Sequence, residues 1–216
     1  MIRIAEGGMP WILASFAFSF IFLGVSYLTS GLVFVFSFVV SVCFFFFSCL
    51  LVVFFRDPDR LIGSGVVAVA DGKIREILPL KDPDVGDCVR VSTFLNLQNV
   101  HVNRMPLTGT IEKLTHHPGG HVPAFQKESD ANERVVLLVR TDIGLLKIVQ
   151  IAGTVARRII PYVTPGSVVK KGEKIGLIRL GSRVDLYLPA NRIKALAIQV
   201  HQRIKAGEDT IAEIND

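Results

Sequence analysis

The chain has 216 residues, half of them hydrophobic, with 24 basic and 19 acidic side chains and a net charge of +5. That length suits one domain with an appendage and excludes a string of domains. The three cysteines have neither metal-ligand spacing nor the count of a disulfide framework, and the basic excess lacks the aromatic-basic interleaving or recognition motif of a nucleic-acid module.

The N-terminus holds most of the apolar excess. Arg3 and Glu6 are the only charges before Arg56, and none lies between Pro10 and Phe55. A membrane-crossing helix needs about 20 apolar residues. The run from Trp11 to Phe55 is roughly twice that, so the expectation is a two-helix hairpin breaking near Ser30-Gly31. Secretory signals have a shorter apolar core, a more basic start and a small-residue cleavage site, so the segment reads as retained. Residues 1–56 are assigned as the membrane-anchoring segment. Arg56 and Arg60 at its exit favour the cytoplasmic side of the cell membrane. The basic remainder suits an anionic membrane surface as a partner. No nucleic-acid partner is expected.

From residue 57 onward the pattern changes. Short β-branched runs such as "CVRVSTF", "RVVLLVRT" and "LLKIVQI" alternate with Gly, Pro and Asp. This spacing argues for a mainly β sandwich or barrel over residues 57–216, not βαβ units. The polar stretch from His116 to Asn132 reads as a long loop. Repeated small-residue-Gly strand openings at Asp71, Thr108 and Ala152 suggest a pseudo-symmetric barrel. "PGSVVKKGEKIGLI" (Pro165 to Ile178) looks like the segment leading into the central hairpin of biotinyl and lipoyl carrier domains. Those place a modifiable Lys at the tip, whereas this chain places Gly181-Ser182 there.

Gly181-Ser182 is either an ordinary turn or a reaction centre. The Ser182 hydroxyl lies one residue from the Gly181 carbonyl, and Gly leaves that carbonyl sterically open. Attack converts the peptide to an ester. β-Elimination then leaves dehydroalanine at 182, and hydrolysis gives ammonia and a pyruvoyl group. Such a group is an electron sink for decarboxylation, as PLP is in other enzymes.

The companions of this dipeptide carry a resemblance. "FFRDPDR" (Phe54 to Arg60), "ADG" (Ala70 to Gly72), "NVHVNRMP" (Asn99 to Pro106), "GGHVPAF" (Gly119 to Phe125) and "RLGSRVDLYLP" (Arg179 to Pro189) follow one another behind a hydrophobic N-terminus. In this order the chain resembles the phosphatidylserine decarboxylase family, in the short form found in bacteria and archaea. The archaeal equivalent acts on archaetidylserine.

The resemblance implies a self-cleaving proenzyme with a β chain of residues 1–181 and an α chain of residues 182–216. The two would form a heterodimer open to further dimerisation. It implies a pyruvoyl group made from Ser182, which takes the substrate amine as a Schiff base, with no metal and no PLP. Gly181 is the cleavage site. His101 matches the histidine linked to decarboxylation, where a pKa near neutrality suits proton return. Asp71 matches the aspartate of a Ser-His-Asp relay for self-cleavage. Arg104 stands where the relay histidine belongs, a departure that leaves the base for cleavage open. Arg104, His121 and Arg183 are expected at the phospholipid substrate, since Arg matches phosphate oxygens bidentately. His116, His117 and His121 lack a carboxylate or Cys to complete a ligand set, so no metal is assigned. Two other functions stay open at this point: a non-enzymatic membrane-anchored binding module, and a pyruvoyl decarboxylase of a soluble amino acid.

Overall fold

The computed structural model describes residues 2–120, 122, 131–153, 158–179 and 182–215. The chain divides into two units, Met1–Asp59 and Arg60–Asp216. The expected boundary lay three residues earlier, at 56/57.

The first unit is a helical hairpin with its ends tied together. Strand β1 (Ile2–Ile4) pairs antiparallel with β2 (Arg56–Pro58), Ile2 opposite Pro58. Between them run α1 (Met9–Leu28) and α2 (Gly31–Phe54), and both are long and apolar enough to cross a membrane. The break falls where expected. Thr29 and Ser30 are extended, and Gly31 adopts φ +62°, which costs glycine little.

The hairpin is inverted relative to a water-soluble helix pair. Its buried positions are mostly serines: Ser15, Ser19 and Ser26 on α1, and Ser37, Ser41 and Ser48 on α2. Ser19 Oγ donates to the Ser41 carbonyl at 2.9 Å, and Ser41 Oγ returns a bond to the Ser19 carbonyl at 2.8 Å. Ser48 Oγ donates to Ser15 Oγ at 2.8 Å. The large apolar side chains face outward, with Phe20 64% and Phe46 66% exposed. Small polar residues at the helix contact and apolar residues outside form the pattern of helices in lipid.

The second unit is mainly β. Its strands are β3 (Val66–Val67), β4 (Gly72–Asp82), β5 (Gly86–Leu95), β6 (Val102–Arg104), β7 (Gly109–His117), β8 (Arg134–Thr141), β9 (Gly144–Ile151), β10 (Ile159–Pro161), β11 (Val168–Val169), β12 (Lys174–Ile178), β13 (Ser182–Pro189), β14 (Ile193–Leu196), β15 (Arg203–Ile204) and β16 (Thr210–Ile214). Eight of them form a curled sheet in the order β11-β7-β8-β9-β13-β5-β4-β15. Two three-stranded sheets accompany it, β10-β12-β6 and β14-β16-β3. Register shifts at Ile74/Glu76 and Ile111/Lys113 are bulges, which bend strands and increase their twist.

Strand alternation places the core. Val135, Leu137 and Val139 of β8, Leu146 and Ile148 of β9, and Val184, Leu186 and Leu188 of β13 all enter one apolar cluster. They meet Ile175 and Ile178 of β12 and Ile211 of β16 there. On β13 the intervening Arg183, Asp185 and Tyr187 line a cleft of about 410 Å³ on the opposite face.

Lys174 to Pro189 is not a hairpin. β12 pairs with β6 and β10, whereas β13 pairs with β5 and β9. The step carrying Gly181-Ser182 therefore joins two sheets. The expected turn, and the likeness to a carrier-domain hairpin tip, rested on two strand-like runs being sequential. Sequential strands often pair, but these do not.

Candidate active site

Ser182 is the first residue of β13 and lies opposite Leu95. It shares a face with Val184, Leu186 and Leu188, two, four and six residues on, so its side chain points into the interior. It is fully buried, and its Oγ has no hydrogen-bond partner among the described residues. A buried hydroxyl without a partner carries a desolvation penalty of about 1–3 kcal/mol. Such a penalty is tolerated where the group has chemistry to do.

His101 immediately precedes β6 and is fully buried. Its carbonyl accepts from the Ile178 amide at 3.2 Å, which ties it to the end of β12, four residues before Ser182. Its ring Nδ1 lies 2.9 Å from the Asn99 carbonyl. A carbonyl only accepts, so Nδ1 carries the proton and Nε2 is the basic nitrogen. The turn at Asn96–Asn99 connects His101 back to Leu95, the register partner of Ser182. The backbone of His101 is thus tied to the two elements that flank the serine.

Asp71 lies just before β4. Lys73 pairs with Phe94 and Phe94 with Arg183, so the start of β4 sits two strands from the start of β13, about 10 Å away at the usual strand spacing. The carboxylate is buried and tightly held. Arg60 Nη2 lies 3.1 Å and 2.8 Å from its two oxygens, and the Ala206 amide donates to Oδ1 at 2.7 Å. Arg60 Nη1 also meets Glu208 Oε1 at 3.2 Å. Burial alone would raise the Glu208 carboxyl, but bonds from Lys205 and Arg60 hold it below its ordinary value. The Arg60 side chain is only 6% exposed. Its expected role as an orienting charge at the membrane exit gives way to a structural one, as the counter-charge of two acids.

Arg104 is buried beside this cluster. Its backbone amide donates to the Val69 carbonyl at 2.8 Å, and Nη1 donates to the Gly172 carbonyl at 3.0 Å. A Cβ placed on Gly207, whose φ is +77°, would lie 3.0 Å from Arg104 Cδ, so a side chain there would crowd the arginine. Gly207 directly follows the Ala206 that holds Asp71. Arg104 also borders an open cleft of about 480 Å³ with Lys171 and Lys174.

Arg183 is not brought together with the Ser182 side chain. It points to the opposite face of β13, where Nη2 bonds Asp185 Oδ2 at 3.0 Å. Burial pushes the Asp185 carboxyl up, against the pull of Arg183. Gly181 and His121 lie outside the described residues.

Two polar residues of this interior carried no functional signal in the sequence. Asn103 and Gln150 are fully buried and joined by one hydrogen bond, Gln150 Nε2 to Asn103 Oδ1 at 2.7 Å. Gln150 lies opposite Val184, hence on the Ser182 face. Asn103 lies two residues beyond His101, on the same side of that strand.

A buried serine and a buried histidine in the β-rich unit, in a chain whose first unit has two helices long and apolar enough to cross a membrane, point to a β-domain enzyme. Comparison with known proteins is specific. The family profile described as phosphatidylserine decarboxylase matches residues 47–212. A phosphatidylserine decarboxylase proenzyme of Streptomyces coelicolor is 44% identical over 214 residues, 99% of this chain and 90% of that one. One from Thermobifida fusca is 42% identical over 208 residues, 95% of this chain and 90% of that one. A putative archaetidylserine decarboxylase proenzyme of Methanococcoides burtonii is 37% identical over 213 residues, 97% of this chain and 96% of that one. The chain belongs to the phosphatidylserine decarboxylase family.

Proposed function

We propose that the chain is a proenzyme that cuts itself between Gly181 and Ser182 and then decarboxylates the serine headgroup of a glycerophospholipid, releasing CO2 and leaving ethanolamine. The single observation that carries this is Ser182: buried, without a partner among the described residues, and facing the interior that His101 borders. Relatives across nearly the whole chain are named as proenzymes of this class. The orphaned hydroxyl at the start of β13 fits the precursor of a pyruvoyl group. That group supplies a ketone able to hold the substrate amine and accept electrons as CO2 departs.

The chain's own residues have separate tasks in this reading. His101 takes up a proton on its basic Nε2 and passes it to the substrate α-carbon. Asp71 acts in self-cleavage, with Arg60 fixing its position. Arg104 occupies the histidine's place next to the Asp71 cluster and brings a guanidinium, which steadies developing negative charge. With Lys171 and Lys174 it offers positive charge to the substrate phosphate. Arg183, bonded to Asp185 on the other face, supports β13 and is a weaker candidate for that contact. The α and β chains stay together because β13 lies between β5 and β9 in one sheet.

The serine-seamed hairpin favours a lipid setting. It keeps the site near a two-chain substrate, whose extraction into water costs about 0.8 kcal/mol per exposed CH₂. The cytoplasmic face remains the assigned side, now on Arg3 and Arg56 without Arg60. A soluble amino acid as substrate would leave this hairpin without a purpose. A relationship of the β unit to biotinyl-type barrels rests on Pro165 to Ile178 alone.

The test is the intact mass of the purified chain under denaturing conditions, beside Ser182→Ala. Two fragments parting at Gly181/Ser182, the smaller beginning with a pyruvoyl group, are expected for the native chain. The variant should stay whole. One uncut chain in both samples, folded and lipid-bound, would overturn the reading and favour a binding module.

A further inference from the structure

We infer that Asn103 and Gln150 hold one water molecule on the Ser182 side of the core, and that this water is the one added at residue 182 when the cut chain end becomes a ketone. The inference rests on the self-cleavage proposed above and assigns a step within it to two residues outside the expected catalytic set.

The geometry comes from strand register. Residues directly opposite in antiparallel strands share a face, and Val184 is opposite Gln150. Ser182 is then the diagonal neighbour of Gln150, about 7–8 Å away. That separation is long for a direct bond from a serine hydroxyl and suits a bridge through one water. Asn103 reaches the same place from the other sheet, and its 2.7 Å bond to Gln150 links the two. Gly176 of β12 closes the site from the side. A Cβ there would lie 3.0 Å from Gln150 Nε2 and 2.9 Å from the Ile160 carbonyl oxygen. Any side chain at residue 176 would crowd the amide, so glycine there leaves Gln150 its place.

The chemistry comes from what the pair leaves over. Asn103 Nδ2 and Gln150 Oε1 are buried and have no partner among the described residues, and neither has Ser182 Oγ. Exchanging O and N in both amides changes nothing, because one bond between two amides always leaves one NH₂ and one carbonyl oxygen. One donor, one acceptor and a hydroxyl able to serve as either give a buried water the two to four partners it needs.

The step balances. Attack of Ser182 Oγ on the Gly181 carbonyl forms an ester and frees the residue-182 nitrogen. Elimination breaks the Cβ–O bond, releases Gly181 as a carboxylate and leaves a 2-aminoacryloyl end. A proton moves to Cβ, giving the imine. Water then adds to the C=N carbon. Its oxygen becomes the ketone oxygen, and its two hydrogens leave with nitrogen as ammonia. One water is consumed and nothing is oxidised or reduced. The amides do not change protonation. Gln150 accepts from the water and Asn103 donates to it, aiming a lone pair at the carbon, so both are positioning residues.

The experiment uses the full chain, made by cell-free synthesis in detergent micelles. Chain scission is followed on gels, and ammonia release is followed alongside. Samples are quenched with cyanoborohydride, which turns the imine into an N-terminal alanine readable by sequencing, whereas a pyruvoyl end stays blocked. In the native chain scission and ammonia should rise together. In Asn103→Leu/Gln150→Leu, which replaces both amides by apolar groups of similar size and so spares the fold, scission should keep its rate while ammonia lags by about tenfold or more, the scale expected for losing a positioned reactant. Alanine should then appear at position 182. Gln150→Glu, which keeps an acceptor, should narrow the lag. Scission and ammonia slowing in step, or neither changing, would overturn the inference. A native chain that never parts would instead defeat the proposed function.

Discussion

The carboxylate of Asp71 accepts from Arg60 Nη2 at both oxygens and from the amide of Ala206 at one. Arg60, Asp71 and Ala206 all lie in the second unit, yet they come from separate stretches of chain. Removing the guanidinium would take the counter-charge away from a buried carboxylate. Arg60→Met should therefore cost about 3–5 kcal/mol, the penalty for breaking a buried ion pair from one side. Arg60→Lys keeps the charge but loses the two-pronged geometry and should fall between. Urea unfolding in micelles would measure both, with scission at Gly181/Ser182 as a second readout. If Arg60→Met unfolds like the native chain, the pair is a surface contact and Asp71 is not positioned by it. The aspartate was legible in the sequence because "ADG" stands in a recognisable series. Its partner was not. Arg60 lies beside Arg56 behind an apolar run, and that context reads as a membrane edge. Only the fold returns residue 60 to residue 71. Asn103 and Gln150 were illegible for a related reason: a lone amide in a strand has no spacing signature, and its meaning comes from what it meets across the core.

At the scale of elements, the hairpin was the plainest feature of the sequence and its seam the least. Length and the absence of charge predict two helices with a break at Gly31. They do not show that the serines fall together, since the pattern looks like scattered polar residues in a phenylalanine-rich run. The structure places Ser19 and Ser41 in reciprocal contact. Ser41→Ala should loosen the pair modestly, by about 0.6 kcal/mol and at most about 1.7, the range for polar contacts between helices in membranes. Ser41→Leu should do more, because its bulk separates the backbones. Unfolding of the hairpin in micelles, monitored by helix content, would rank the three chains. Equal stability of the leucine variant would mean that the helices do not meet along this seam. Among the strands the runs that become β8, β9 and β13 were readable as strands. Pairing was not readable. β12 and β13 are consecutive and both strand-like, and a local pattern cannot say that one joins β6 while the other joins β5. That choice is made by burial across the whole β unit. It puts β12 and β13 in different sheets, where an ordinary turn between paired strands was expected.

The two units divide the work of the whole molecule by their surfaces. The core cluster runs from Val66 to Ala212 and belongs entirely to the second unit, so Arg60–Asp216 has what it needs to fold alone. Charge is divided as well. Arg3 and Arg56 against Glu6, Asp57 and Asp59 leave the first unit at −1, so the second holds +6 of the net +5. Each Lys or Arg close to an anionic membrane surface contributes about 1 kcal/mol, an attraction that salt screens. Burial of two apolar helices in lipid is not screened. A chain starting at Arg60 should therefore stay soluble and still part at Gly181/Ser182. On anionic vesicles it should bind at low salt and leave as salt rises, whereas the full chain stays bound throughout. Its turnover of lipid serine in those vesicles should fall with its binding. Turnover of a short-chain substrate dispersed in water should hold, because His101, Asp71 and Ser182 are unchanged. Sedimentation with vesicles across a salt series, read together with CO2 release, separates the two contributions. If the truncated chain turns over vesicle lipid as well as the full chain at high salt, the hairpin does not bring the site to its substrate. If it fails to cut itself, the hairpin is needed to build the site, and the two units are not independent in function.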